Sequence, residues 1–254
     1  MTQFTSDLRL LFRSLLPILS LAGVLALPDF CSPLAADQGD NRNYALIPAS
    51  RPEMLATVHG KFQRFSGKPT DIIFDGDSIT NRWEDQGAQT WAAFKDRAAN
   101  FGIEGDRTEN LLWRLGQHQV EGMDPKLVVL LIGTNNVSGG YSVEQIADGI
   151  RAILDEYKKQ CPHAHFVLMA IFPRGKSADD PMRQKAEAVN ALIRPLADGD
   201  RVDFLDLTPQ MVDADGTLSS IAFGNDYLHP LPSGYAIWAN ALQPYVTKYA
   251  PAHA

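Results

Sequence analysis

Four short stretches set reactive residue types at the ends of apolar runs. Ser78 follows the run that opens "IIFDGDSITNRW" (72–83). Gly105 lies in "NFGIEGDRTENLLWRL", and Asn135 in "LLIGTNN". Asp226 and His229 stand three residues apart in "NDYLHP". Ester hydrolysis by a serine needs a hydroxyl, a base to take its proton, a group to orient the base, and donors for the oxyanion. Ser78 offers the hydroxyl, His229 the base and Asp226 the orienter. The backbone N–H groups of Ser78 and Gly105 and the side-chain amide of Asn135 offer the donors. The common Gly-x-Ser-x-Gly elbow is absent, so the serine has to be judged by these partners.

Taken singly, each residue has an ordinary structural reading. Ser78 is a favoured helix cap. Gly105 suits a turn with positive φ. Asn135 can bond its own backbone, and Asp226 with His229 can form a surface turn. The chemical reading gains weight only if the fold brings all four stretches to one place.

The elements that must do this are legible as a pattern. Apolar runs of strand length occur at 71–74, 98–103, 127–133, 165–172 and 201–207. Helix-like segments fall between them, near 89–97, 108–116, 143–157, 181–198 and 234–249, and another covers "MLATVHGKFQRF". The clearest places Val143, Ile146, Ala147, Ile150, Ile153, Leu154 and Tyr157 on one face. Strands alternating with helices predict an α/β fold with a five-stranded parallel sheet, a three-layer α/β/α sandwich in one domain over 55–250. The non-alternating third and fourth runs suit strands covered on both faces. Sites in open parallel sheets form at the carboxyl ends of strands, where Ser78, Gly105 and Asn135 fall, and the loop before the last helix holds Asp226 and His229. Trp91, Trp113 and Trp238 read as helix packing, and Trp83 as a pocket or support residue.

The 254-residue chain is 45% apolar and 21% charged, with net charge −7. An acidic chain without a Lys/Arg cluster argues against nucleic acid as a partner. Arg9 and Arg13, an uncharged apolar stretch from Leu15 to Leu27, and small residues to Ala36 form the pattern of an export signal over 1–36. The stretch is short for a membrane span and is interrupted by proline. An uncleaved N-terminal anchor is the alternative. Phe30 before Cys31 is too bulky for a lipoprotein site. Residues 37–54 read as a lead-in linker. Beyond Ala36 only Cys161 remains, so no internal disulfide is expected in the mature chain. There is no His-Glu-x-x-His and no Gly-rich phosphate loop, so neither metal nor cofactor is expected. The rival reading, a metal site of Asp75, Asp77, Asn135 and His229, lacks those ligand signatures.

"FDGDSIT", "NFGIEGDRTENLLWRL", "LLIGTNN" and "DYLHPLPSGY" resemble, in order and spacing, the four blocks of the SGNH (GDSL-type) hydrolase family. The resemblance spans about residues 70–249. "GDRTENLLWRL", "GTNN", "FPRG" and "DADGTLS" tie it to the branch holding catalytic subunits of platelet-activating-factor acetylhydrolases and related bacterial acyl esterases. It implies a flavodoxin-like fold, a Ser78-His229-Asp226 triad, and an oxyanion hole of Ser78, Gly105 and Asn135. Two residues depart from the wider family. Asn136 replaces an Asp, in keeping with that branch. Asp75 replaces an apolar residue and is expected to bond backbone beneath the nucleophile loop or to shape a pocket. Asp77 is expected to brace the turn.

The expected reaction is hydrolysis of a short-acyl, acetyl-sized ester, since no insertion offers an apolar lid. Carbohydrate deacetylation suits an exported acidic esterase. A lipid-directed acylhydrolase and a non-catalytic binding module on the same fold are the alternatives. A monomer or a homodimer is expected.

Overall fold

The computed structural model describes residues 42–252. The expected export signal, with Cys31 and Ala36, lies outside the described residues. Five parallel strands form one sheet: β1 (Ile72–Gly76), β2 (Ala98–Asn100), β3 (Leu127–Leu131), β4 (His165–Met169) and β5 (Val202–Leu205), in the order β2-β1-β3-β4-β5. Each lies within or overlaps one of the five apolar runs. The helices are α1 (Leu55–Phe65), α2 (Ser78–Asn81), α3 (Ala88–Trp91), α4 (Thr108–Gly116), α5 (Thr134–Ser138), α6 (Val143–Gln160), α7 (Pro181–Ile193), α8 (Thr208–Met211) and α9 (Pro232–Tyr249).

Strand residues alternate between two cores because successive side chains point to opposite faces. Ile73, Val128, Leu130, Phe166 and Leu168 pack against Leu111 and Leu115 of α4, Ile150, Ile153 and Tyr157 of α6, and Val189 of α7. Ile72, Phe74, Val129, Leu131 and Val167 pack against Trp91 of α3 and Tyr235, Trp238 and Leu242 of α9. This is the expected three-layer sandwich, with both faces of the central strands covered. Ser142 starts α6 with a capping box: its Oγ accepts from Gln145 N–H, and Gln145 Oε1 accepts from Ser142 N–H.

Three expectations shift. The helix expected over 89–97 stops at Trp91 and continues as tight turns, which feed Phe94 into the aromatic cluster before β2 begins. The helix expected over 181–198 ends at Ile193. Residues Arg194–Leu196 tighten to a 3-10 turn containing Pro195, which has no N–H to continue the ladder. Trp113 is half-buried rather than core, because Leu111 and Leu115 take the inward face of α4.

The described part of the lead-in is laid against the domain. Ala45 is fully buried, its carbonyl accepts from Thr108 Oγ1 at 3.2 Å, and Asn110 Nδ2 donates to the Ala49 carbonyl at 2.9 Å. The packed unit thus takes in residues 43–49 ahead of α1. Cys161 is a free, buried thiol, and burial pushes it up to about 11. Among the described residues no helix is long and apolar enough to cross a membrane.

Trp83 lies at the centre of the second core. It stacks on Trp238 at 4.2 Å between ring centroids, meets Phe74 edge-on at 5.2 Å, and donates its Nε1–H to Thr90 Oγ1 at 2.9 Å. It is wholly buried, so of its two expected roles only support fits. Trp83→Ala is expected to destabilise the fold by about 3–5 kcal/mol, read from urea unfolding.

Candidate active site

Strand β1 ends in a sharp exit. Gly76 passes so close to β3 that a Cβ there would sit 2.0 Å from the Leu131 carbonyl oxygen, so only glycine fits. Asp77 then turns the chain into α2, and its Oδ1 accepts from Ile79 N–H at 3.0 Å. The cap of this helix is therefore Asp77 and not Ser78. Ser78 is the first residue of α2, where its N–H has no carbonyl within the helix to reach.

The Ser78 hydroxyl meets His229 Nε2 at 2.9 Å, across 151 residues of sequence. His229 Nδ1 meets Asp226 Oδ2 at 2.6 Å. The turn carrying these two residues is built by the same carboxylate, since Asp226 Oδ1 accepts from the N–H groups of Leu228 and His229, each at 3.1 Å. Gly224 N–H closes the loop on the His229 carbonyl at 3.2 Å, and Tyr227 between them takes a left-handed φ of 51°. Burial alone would raise the Asp226 carboxyl. The hydrogen bonds from His229 and the two backbone donors outweigh it and hold the group below its ordinary value. The ionised orienter favours the tautomer with its proton on Nδ1, leaving Nε2 to accept from Ser78.

The other two loops arrive alongside. Ile103 N–H donates to the Gly76 carbonyl at 3.2 Å, which ties the loop after β2 to the end of β1. Gly105 takes φ 73° at the exposed tip of that loop. Arg51, from the lead-in, grips the loop through the Glu104 carbonyl and Asp106 Oδ1. Asn135 donates one side-chain N–H to the Asp106 carbonyl at 2.9 Å, which joins the third loop to the second and leaves its other N–H available. At the rim, Arg82 and Asn81 bond Glu104. The structure thus brings Ser78, His229 and Asp226 into one bonded row, with the Gly105 and Asn135 loops tied together beside it.

Asp75 and Asn136 lie beneath. Asp75 is fully buried and accepts from Gly76 N–H (2.8 Å), Arg114 Nη2 (2.9 Å), Gln119 Nε2 (2.6 Å) and the Tyr157 hydroxyl. Arg114 also donates its Nε–H to Asp106 Oδ2 at 2.8 Å. Burial would lower Arg114, but the facing Asp75 and Asp106 carboxylates hold it charged. Asn136 Oδ1 accepts from Thr108 N–H at 3.0 Å, and its amide donates to Thr108 Oγ1 and Glu109 Oε2. Both residues brace loops rather than line an opening. Arg114, Gln119, Tyr157 and Arg51 are the partners that sequence reasoning missed. Arg114 was in view within "NLLWRL", but a lone arginine on an apolar helix gives no sign of a buried acid 39 residues away.

Asp77 differs from Asp75. Its Oδ2 is buried without a hydrogen-bond partner in the protein, and burial pushes the carboxyl up to about 7 despite the Ile79 N–H bond.

Comparison with known proteins follows this geometry. The sequence profile of the GDSL-like lipase/acylhydrolase family matches residues 74–237. The platelet-activating factor acetylhydrolase IB subunit alpha1 of Homo sapiens is 36% identical over 208 residues, covering 77% of this chain and 87% of the human protein. The alpha2 subunit of Rattus norvegicus is 33% identical, covering 78% and 88%. Among solved structures, a GDSL-like lipase from Bacteroides thetaiotaomicron superposes with a TM-score of 0.59 at 22% identity, covering 74% of this chain and 97% of its own. An acetylxylan esterase from Geobacillus stearothermophilus superposes with a TM-score of 0.57 at 20% identity, covering 72% and 95%. These two share the fold.

Asp75→Ala removes one of the two carboxylates that face the buried Arg114, leaves Asp106 alone to offset its charge, and is expected to cost about 3 kcal/mol in equilibrium unfolding. Replacing both Asp75 and Arg114 by apolar residues should cost less than the two single losses together. For Asp77 the folded carboxyl titrates above its ordinary 3.8, near 7, so the folded state holds the proton more tightly than the unfolded one. Its contribution to stability is present below about 3.8 and is lost as pH rises through about 7. Asp77→Asn should therefore flatten the fall in unfolding free energy across that range, and equal slopes in the two proteins would count against the assignment.

Proposed function

The chain belongs to the GDSL-like lipase/acylhydrolase (SGNH hydrolase) family and is an ester hydrolase, and from that premise we propose that it cleaves short-acyl, acetyl-sized esters with Ser78 as nucleophile. The single observation that carries the assignment is the row Ser78 Oγ to His229 Nε2 at 2.9 Å and His229 Nδ1 to Asp226 at 2.6 Å.

The reaction runs in two halves. His229 Nε2 takes the hydroxyl proton as Ser78 Oγ bonds to the ester carbonyl carbon. The negative charge that develops on the carbonyl oxygen is met by the Ser78 and Gly105 N–H groups and the Asn135 amide. The tetrahedral centre then collapses. The bond from carbon to the alcohol oxygen breaks, and His229 gives its proton to the departing alcohol. A water repeats the sequence, with His229 as base, and releases the acid and free Ser78. Asp226 stays ionised throughout and favours the imidazolium that forms in each half.

The acyl preference is supported by the curated relatives, which are named as acetylhydrolases. The alcohol half has two supported readings. An acetylated carbohydrate suits an exported acidic enzyme, with signal cleavage near Ala36. An acetylated phospholipid suits the relatives named for platelet-activating factor.

Ser78→Ala should fold normally, lose at least about 1000-fold in kcat, and escape labelling by an organophosphonate that marks the parent protein at Ser78. A p-nitrophenyl ester series from acetate to palmitate should favour the shortest chain, and a preference for palmitate would refute the acetyl reading. Acetylated xylan and an acetylated phospholipid, assayed side by side, decide the alcohol.

A further inference from the structure

The "FPRG" segment after β4 has no part in the mechanism above, yet it touches two of the loops that the mechanism uses. Arg174 is buried, and its Nη1 donates to the Thr134 carbonyl at 2.7 Å and to Thr134 Oγ1 at 2.9 Å. Gly175 N–H donates to the carbonyl of Tyr227, the left-handed residue between Asp226 and His229, at 3.0 Å. The segment is fixed from behind by Arg183. This side chain is also buried, and it donates to the carbonyls of Arg174 (3.0 Å), Gly175 (2.6 Å) and Gly216 (2.7 Å).

Arg174 forms no salt bridge among the described residues: burial lowers its guanidinium, and the Asp180 and Asp77 carboxylates offset this only from beyond contact distance. A buried guanidinium without a carboxylate in contact costs stability, so the bonds to Thr134 are its main anchorage on the α5 side. Its two oxygen partners belong to the residue just before Asn135. Helix α5, which carries both, has five residues, and its cap, Gly133, supplies no side-chain bond. So short a helix cannot hold its own geometry. An outside anchor on its first residue is what such a turn needs.

We propose that Arg174 is a positioning residue for oxyanion stabilisation, holding Thr134 through both of its oxygens and so fixing where the Asn135 amide points. This rests on the reading of Asn135 as an oxyanion donor. Arg174 itself need not touch substrate. A displacement of the donor by about 1 Å is enough to cost on the order of 100-fold in rate.

The test is a double-mutant cycle between positions 174 and 135, with kcat and KM for p-nitrophenyl acetate measured on protein shown to be folded. Arg174→Ala should lower kcat by about 10- to 100-fold and change KM by less than about threefold. Arg174→Lys should recover part of the loss. Thr134→Val, which removes only the hydroxyl, should give a smaller fall, and Thr134→Ser should restore it. The double variant Arg174→Ala/Asn135→Ala should be no slower than Asn135→Ala alone, because the anchor acts through the amide. Losses that multiply in the double variant, or an Arg174→Ala protein with undiminished kcat beside a slow Asn135→Ala, overturn the role of Arg174 and leave the donor reading intact. An Asn135→Ala protein at full rate overturns both. If Arg174→Ala does not fold, the same cycle run with Arg174→Lys and Thr134→Val decides the question by the same outcomes.

Discussion

A buried ion network, Asp75–Arg114–Asp106, is the constraint on which the site depends. Arg114 reaches from α4 to the end of β1 on one side and to the loop after β2 on the other. Asp75 is the neighbour of Gly76, two residues before the turn into Ser78, and Asp106 follows Gly105. One guanidinium therefore sets the spacing between the strand that leads into Ser78 and the loop that carries Gly105. Gln119 and Tyr157 fill the remaining acceptor positions on Asp75, so the charge is buried with its bonds complete. Such a network adds little net stability over an apolar core of the same shape. What it adds is a unique geometry, because a slipped strand or a shifted loop leaves a charge unpaired.

Above this base the loops are tied to one another rather than to solvent. Asn135 bonds Asp106, Asn136 bonds Thr108 and Glu109, Arg51 holds the Glu104 carbonyl, and Arg174 holds Thr134. With Arg114, three arginines from three different parts of the chain thus converge on these short loops. For the proposed mechanism this amounts to preorganisation: donors held in place before a charge develops need no rearrangement when it does.

The architecture was largely legible in the sequence, because it is written in local hydrophobic pattern. Runs such as "LVVLLIG" and "HFVLMAIF" read as covered strands and fold as β3 and β4. The face of α6 from Val143 to Tyr157 is the face that packs. The residues Ser78, His229 and Asp226 were legible by type and by their position after strands, and they lie together. What escaped was the polar scaffolding. Tyr157 read as the last residue of an apolar stripe, and it is that, yet its hydroxyl is a partner of Asp75 82 residues away. The cap of α2 fell to Asp77 because its carboxylate reaches Ile79 N–H, a choice that depends on the exit angle at Gly76 and not on composition. Long-range polar pairing has no period, so no pattern announces it.

The bond between Ser78 and His229 also joins distant parts of the chain. Ser78 and the Gly105 and Asn135 loops lie between residues 76 and 136, whereas His229, bonded to nearby Asp226, stands 151 residues beyond the serine. In the proposed mechanism a chain that ends before Asp226 would carry the serine without the imidazole that meets its hydroxyl, so the pairing is a property of the complete sheet and not of the segment around Ser78.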